Sequence, residues 1–288
     1  MTRLARWSGM LIGGCALAGA GFVVGAAVWR AATARDVEEL ARVARVSGTP
    51  ATGDELPAPV SRYFDFSLPR GRQRITAARV DWVGEFQMRP AAGWVPFTAV
   101  QYFVSGPPGF VWDAKIRMMP LVEVYVRDVY RNGRGTMLGR IGGLVPVVDE
   151  GGTPEIAQSA LARWLGEAVW LPTALRSGAG VAWEAVDDST AIASVTDGRV
   201  SASATFHFGS NGEIRRMTAL RYRDVEGKAV LTRFEGRYWD YARRNGVMVP
   251  LHAEVAWLLP EGRFPYWRGS PAEIQYGTGP GLPARRTP

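Results

Sequence analysis

From about residue 75 to residue 276, hydrophobic and polar side chains alternate with a period of two, the pattern of strands that bury one face and wet the other. In VDWVGEFQMR, Val80, Trp82, Phe86 and Met88 fall on one face, and Asp81, Glu85, Gln87 and Arg89 on the other. FVWDAKIRM sets Phe110, Trp112, Ala114, Ile116 and Met118 against Asp113, Lys115 and Arg117. VSASATFHF and VMVPLHAEVAW repeat the pattern, with His207, His252 and Glu254 on the polar side. Turn signals at Arg131-Asn132-Gly133, Asp197-Gly198, Ser210-Asn211-Gly212 and Asn245-Gly246 separate such runs at hairpin spacing, which predicts consecutive antiparallel strands. About eleven or twelve strands are expected, in groups near 75–148 and 181–276.

Between the groups the period becomes helical. Ile156, Ala160, Trp164 and Ala168 recur at a spacing of four, and Leu161, Leu165 and Val169 widen the stripe, so one long helix is expected over Thr153–Ala174. Thr153-Pro154-Glu155 supplies an N-cap, a proline at the first helical position and an acid near the positive end of the dipole. Pro172 helps to end it, and a shorter helix is expected over Leu56–Phe64. A one-faced sheet this wide curls, and a single long helix covers only part of its oily face. The expected fold is therefore α+β, mainly β: a curved antiparallel sheet, half-barrel or barrel, with a helix in its mouth and room for an apolar ligand. Trp82, Phe86, Trp112, Ile116, Trp164, Trp170 and Trp257 are the residues expected to line that space, although each also suits ordinary core.

Residues 7–29 carry no charge, lie between Arg6 and Arg30, and have Trp7 and Trp29 at their ends, which predicts an N-terminal transmembrane helix. A cleaved signal peptide, and a lipoprotein signal at Cys15, are the competing fates; the apolar run continuing past Cys15 disfavours the latter. Arg3 and Arg6 place the N-terminus inside by a small margin over Arg30 and Arg35, so the domain is expected outside the cytoplasmic (inner) membrane, held by a single pass. Gly9-x-x-x-Gly13 and Gly21-x-x-x-Gly25 would let two such helices approach as a homodimer, a spacing that chance also gives. The division expected is an anchor or signal segment at 1–30, an amphipathic helix (Asp36–Arg45) with a linker at 31–53, a β-rich binding domain at 54–277, and a disordered tail at 278–288.

Composition narrows the chemistry. With 47% apolar residues the bulk of the chain is globular, and its +7 formal charge comes almost wholly from arginines scattered singly or in pairs, Lys115 and Lys228 being the only lysines. No zinc spacing or basic helix accompanies that charge, so nucleic acid is not an expected partner, whereas an anionic membrane surface is. One cysteine and two histidines exclude intrachain disulfides and Cys- or His-rich metal sites. No hydrolase elbow, phosphate-binding loop or HExxH is present, the glycines at 133, 135 and 139 have the wrong spacing for a nucleotide loop, and no cofactor is expected.

Three sets of carboxylates remain. Glu167 lies three residues after Trp164 and three before Trp170, so on a helix the three share a face. If that face looks into the sheet, the carboxylate needs a partner; an arginine from a strand is the expected one, ahead of a ligand's polar head or catalysis. Asp128 shares parity with Val122, Val124 and Val126, which would aim it inward, but a bulge that shifts the face near the strand end is the favoured explanation. Asp187-Asp188, followed by Ser189 and Thr190, reads as a hairpin turn.

LPAPVSRYF (Leu56–Phe64), RWLGEAVWLPTAL (Arg163–Leu175), VAWEAVDDSTAIA (Val181–Ala193) and VPLHAEVAW (Val249–Trp257) resemble motifs of an uncharacterised bacterial domain family, over about residues 55–276. That family brings no activity with it. The strand–helix–strand order is also similar to the half-barrels of the lipoprotein-carrier and receptor group, a resemblance that implies a curved sheet holding acyl chains. The leading expectation is a membrane-anchored extracytoplasmic domain that binds a lipid or other lipophilic ligand. The alternative is a structural or interaction module of the cell envelope with a filled interior. An enzyme comes third, resting on Glu167, Asp128 and the aspartate pair alone.

Overall fold

The structure, a computed structural model, describes residues 4–46, 56–69, 75–120, 122–278 and 282–283, with side chains from residue 23 onward. Two antiparallel meanders form its sheet. The first comprises β1 (Ala77–Phe86), β2 (Val95–Val104), β3 (Gly109–Met119), β4 (Val122–Arg131), β5 (Arg134–Ile141) and β6 (Val145–Gly151). The second comprises β7 (Val181–Asp187), β8 (Thr190–Asp197), β9 (Val200–Phe208), β10 (Ile214–Val225), β11 (Lys228–Arg244), β12 (Val247–Leu259) and β13 (Gly262–Gly277). β1 pairs with β13, which fuses them into one thirteen-stranded sheet with β6 and β7 at its edges. It curls into a half-barrel, and the β4–β5 turn reaches the β8–β9 turn, where Asp197 accepts hydrogen bonds from the Tyr130 hydroxyl and the Gly133 amide.

The predicted turns explain the meanders. Asn132 and Gly133 sit at φ 51° and 70°, and Asn245 and Gly246 at 45° and 84°, the left-handed pair that a two-residue hairpin turn requires. The Asp187 carboxylate accepts from the Ser189 amide and hydroxyl, so the aspartate pair builds the β7–β8 turn.

α3 (Pro154–Glu167) connects the sheet's two edges and lies within the curl. Thr153 Oγ1 accepts from the Ile156 amide at 3.3 Å, as an N-cap should. The helix is shorter than expected: after Glu167 the chain continues in 3-10 turns at Ala168–Trp170, Pro172–Leu175 and Ser177–Ala179. Pro172 lacks an amide hydrogen and drives Leu171 out of the helical region, to φ −132° and ψ 70°. These turns still bury Val169, Trp170, Leu171 and Leu175 against the sheet, so the apolar stripe finds its partners without helical geometry. α2 (Ala58–Ser67) starts at Pro57 and buries Val60, Tyr63 and Phe64 in the same core.

The outer face is less uniformly wet than the alternation implies. α1 (Leu4–Val46) is one continuous helix that takes in the predicted Asp36–Arg45 segment, and its C-terminal half lies across the convex side of β2, β3 and β4. There Leu40 and Ala44 cover Ala77, Val104, Val111 and Val129, a second small core. Trp29 Nε1 donates to Asp113 at 2.8 Å, and the Arg127 guanidinium stacks 4.6 Å from the Trp29 ring centroid. Arg127 and Arg131 both grip Asp36, and Arg131 also reaches Glu39. A Cβ on Gly25 would stand 2.8 Å from the Gly142 carbonyl, so the helix backbone touches the β5–β6 turn directly. Among the described residues no helix is long and apolar enough to cross a membrane. Side chains 7–22 of the predicted span, the 47–53 linker and most of the predicted tail lie outside the described residues.

A candidate binding cavity in the mouth of the half-barrel

A cavity of about 400 Å³ opens between α3 and the strands that face it. Its inner wall is aromatic and aliphatic, with Phe86, Trp112, Ile116, Trp170, Trp257 and Trp267 among its members. Met88 and Met137, 60% and 36% exposed, stand at its outer edge. A second recess, between β5–β6 and β10–β11, shares Asp128, Arg221 and Trp257 with the first and continues it along α3.

Five of the seven predicted lining residues border this space: Phe86, Trp112, Ile116, Trp170 and Trp257. Trp82 and Trp164 stand behind the wall. Trp82 meets Trp170 edge-on, with ring centroids 4.6 Å apart, while Trp164 is wholly buried and donates to the Val104 carbonyl. Phe86 and Met88 lie on the predicted oily face but end up half-buried and exposed, because there the strand leaves the core and enters the mouth.

Asp128 and Glu167 meet in this cavity through Arg163. Arg163 Nη1 lies 2.6 Å from Asp128 Oδ2, and its Nε lies 2.9 Å from Glu167 Oε1. The second Glu167 oxygen accepts from Gln101 Nε2 at 2.8 Å, and Gln101 Oε1 accepts from Trp82 Nε1 at 2.9 Å. The guanidinium also stacks over Phe110 and Trp112, 5.0 Å from each centroid. Burial alone would lower the Arg163 pKa, but Glu167 and Asp128 outweigh it and hold the group above its ordinary range. The arginine expected for Glu167 thus comes from its own helix one turn earlier; the sheet contributes Gln101 instead. Asp128 points inward in unbroken register opposite Trp112, so no bulge shifts its face.

Arg163 binds one oxygen of each carboxylate and Gln101 takes the remaining Glu167 oxygen, so the trio is a paired structural network. Asp187 and Asp188 lie in the β7–β8 turn, apart from it. His207 is bonded to Thr190 and Arg216 on the outer side. His252 Nδ1 lies 2.8 Å from the Ser270 hydroxyl and its Nε2 3.6 Å from Asp240, but both of these partners lie outside the cavity, and the Asp240 side chain is 65% exposed.

Several cavity residues escape the alternation analysis. Tyr238 donates its hydroxyl to the Gly166 carbonyl, and burial pushes its pKa far up, so it stays a neutral donor. Burial likewise raises Tyr266. Arg221 is 9% exposed, and its parity with the buried Met217 and the half-buried Ala219 was the available signal.

Fold and site together define a curled antiparallel half-barrel, crossed by one helix, with an aromatic cavity in its mouth. The chain belongs to DUF6920, a family of unknown function, which it matches over residues 54–276. No curated protein matches the sequence. Among solved structures it is similar to a LolA superfamily protein from Nitrosomonas europaea, at 12% identity and TM-score 0.41, covering 77% of this chain and 94% of that one. It is similar also to a DUF1329 family protein from Desulfovibrio piger, at 10% identity and TM-score 0.41, covering 78% and 95%. Likenesses this distant carry no ligand or activity to this chain.

Proposed function

We propose that the protein is a membrane-anchored, extracytoplasmic domain that holds a lipid or other lipophilic ligand inside its half-barrel. The observation that carries this reading is the aromatic cavity of about 400 Å³, which remains open beside a well-packed core. Pockets of this scale and lining suit small apolar molecules. The envelope-module alternative requires a filled interior and is weaker on the same ground.

The uncharged run at 7–29 supports the anchor, and Arg3 and Arg6 support an inside N-terminus at the cytoplasmic membrane. Gly25 beside the β5–β6 turn would then bring the half-barrel close to the bilayer rather than leaving it on a long tether. Close approach of two anchors through Gly9 and Gly13 would make the homodimer.

The test is native mass spectrometry of full-length protein extracted in mild detergent, with titration of the neutral dye N-phenyl-1-naphthylamine. Copurifying apolar mass, or dye uptake at one site per chain, is expected. Empty protein that takes up no dye overturns the reading.

A further inference from the structure

Arg221 is a buried cation in the cavity's apolar wall. Arg163 is matched by Asp128 and Glu167, whereas among the described residues no carboxylate lies within ion-pair distance of Arg221, although its side chain is nine-tenths buried. Its Nε donates to the Ser159 carbonyl at 2.9 Å, and Tyr266 lines the same cavity. Its guanidinium is sandwiched by rings, 4.6 Å from the Phe234 centroid and 5.8 Å from that of Trp257. A guanidinium has five N–H donors, so these partners leave donors over, and the residue borders both the apolar cavity and the recess beside it. An uncompensated buried cation is costly to a fold, and a protein keeps one where an anion completes it. Asp224 and Glu150 share the recess, so a bound anion is confined to the arginine side, where Arg223 stands two residues along the same strand.

We infer that the ligand of this cavity is an anionic amphiphile, whose carboxylate or phosphate head is bound by Arg221 while its hydrocarbon tail runs between Trp112, Trp170, Trp257 and Trp267. This rests on the cavity being a lipophilic binding site, as proposed above. Arg221 acts as the headgroup ligand because its planar donor fork suits both oxyanions, and flanking aromatics fix the plane of that fork.

The experiment is displacement of N-phenyl-1-naphthylamine from the full chain by palmitate, hexadecyl phosphate and hexadecanol, in the wild type and in Arg221→Gln. Palmitate or hexadecyl phosphate should bind at least tenfold more tightly than hexadecanol, and the stronger of the two identifies the headgroup source. Arg221→Gln should bring both anions to within about twofold of hexadecanol measured in the same variant. Dye binding with equal affinity for all three amphiphiles in the wild type overturns this inference while sparing the lipophilic site. Absence of dye binding overturns both. Selectivity that survives in Arg221→Gln assigns the head elsewhere and also overturns it. Should Arg221→Gln not fold, the wild-type ratio of anion to alcohol decides: tenfold supports the inference, and unity refutes it.

Discussion

Replacing Arg163 with Met keeps most of the side-chain volume and removes the one cation shared by Asp128 and Glu167. The three side chains are only 15%, 12% and 21% exposed, so solvent does little to replace it. Removing one partner of a buried ion pair typically costs about 3–5 kcal/mol, because a desolvated charge is left behind. Stacking over Phe110 and Trp112 is lost as well, at roughly 0.5–1 kcal/mol each. Gln101 still donates to Glu167, which keeps the total near the lower end, about 4 kcal/mol. For a domain of this size that lowers Tm by on the order of 10 °C. Urea unfolding followed by circular dichroism measures it. The triple variant Arg163→Met, Asp128→Asn, Glu167→Gln should recover most of the loss at neutral pH. A deficit below about 1 kcal/mol is what a solvated surface pair gives, and it would refute the buried trio.

Other outcomes follow from the same structure. Burial, opposed by hydrogen bonds from Trp29 and Thr33, raises the Asp113 pKa. A folded pKa above the unfolded one stabilises the fold at low pH and is lost as pH rises; Asp113→Asn should therefore gain on the wild type from about pH 4 upwards, read from paired melting curves. Thr153→Ala should cost about 1 kcal/mol in urea melts by uncapping α3, and Thr153→Gly less. Met137→Trp, at the exposed edge of the cavity, should weaken dye uptake severalfold without lowering Tm, whereas unchanged uptake would place the ligand elsewhere. Leu40→Ala removes a fully buried side chain from beneath α1 and should cost about 2–5 kcal/mol of docking; faster hydrogen exchange in β2–β4 would report it.

Where one physical signal decides an element, the sequence predicted it well. Asn-Gly pairs need left-handed backbone and mark hairpins, and Thr-Pro-Glu marks a helix start, so the β4–β5 and β11–β12 turns and the start of α3 appear where expected. Cavity walls were legible to the extent that parity holds, as for Trp112 and Ile116. What was not legible depends on strand order. Val111 and Val129 each look like a lone apolar residue on a wet face, and only the pairing of β2, β3 and β4 gathers them into a patch that α1 can cover. Arg163–Glu167 was readable as an i,i+4 pair, but its extension to Asp128 needs β4 to lie under α3. Arg221 was obscured because charge is ordinarily read as solvent-facing, and because β10 slips register between Ile214 and Arg216, which resets its parity.

The pairing of β1 with β13 joins Thr76 to Gly277 across 201 positions. Each meander can zip from its own hairpins, but the seam between them closes only when nearly the whole domain has been synthesised, a late, entropically expensive encounter. Until then each half presents a long bare edge, β1 on one and β13 on the other, and two copies emerging together could exchange them.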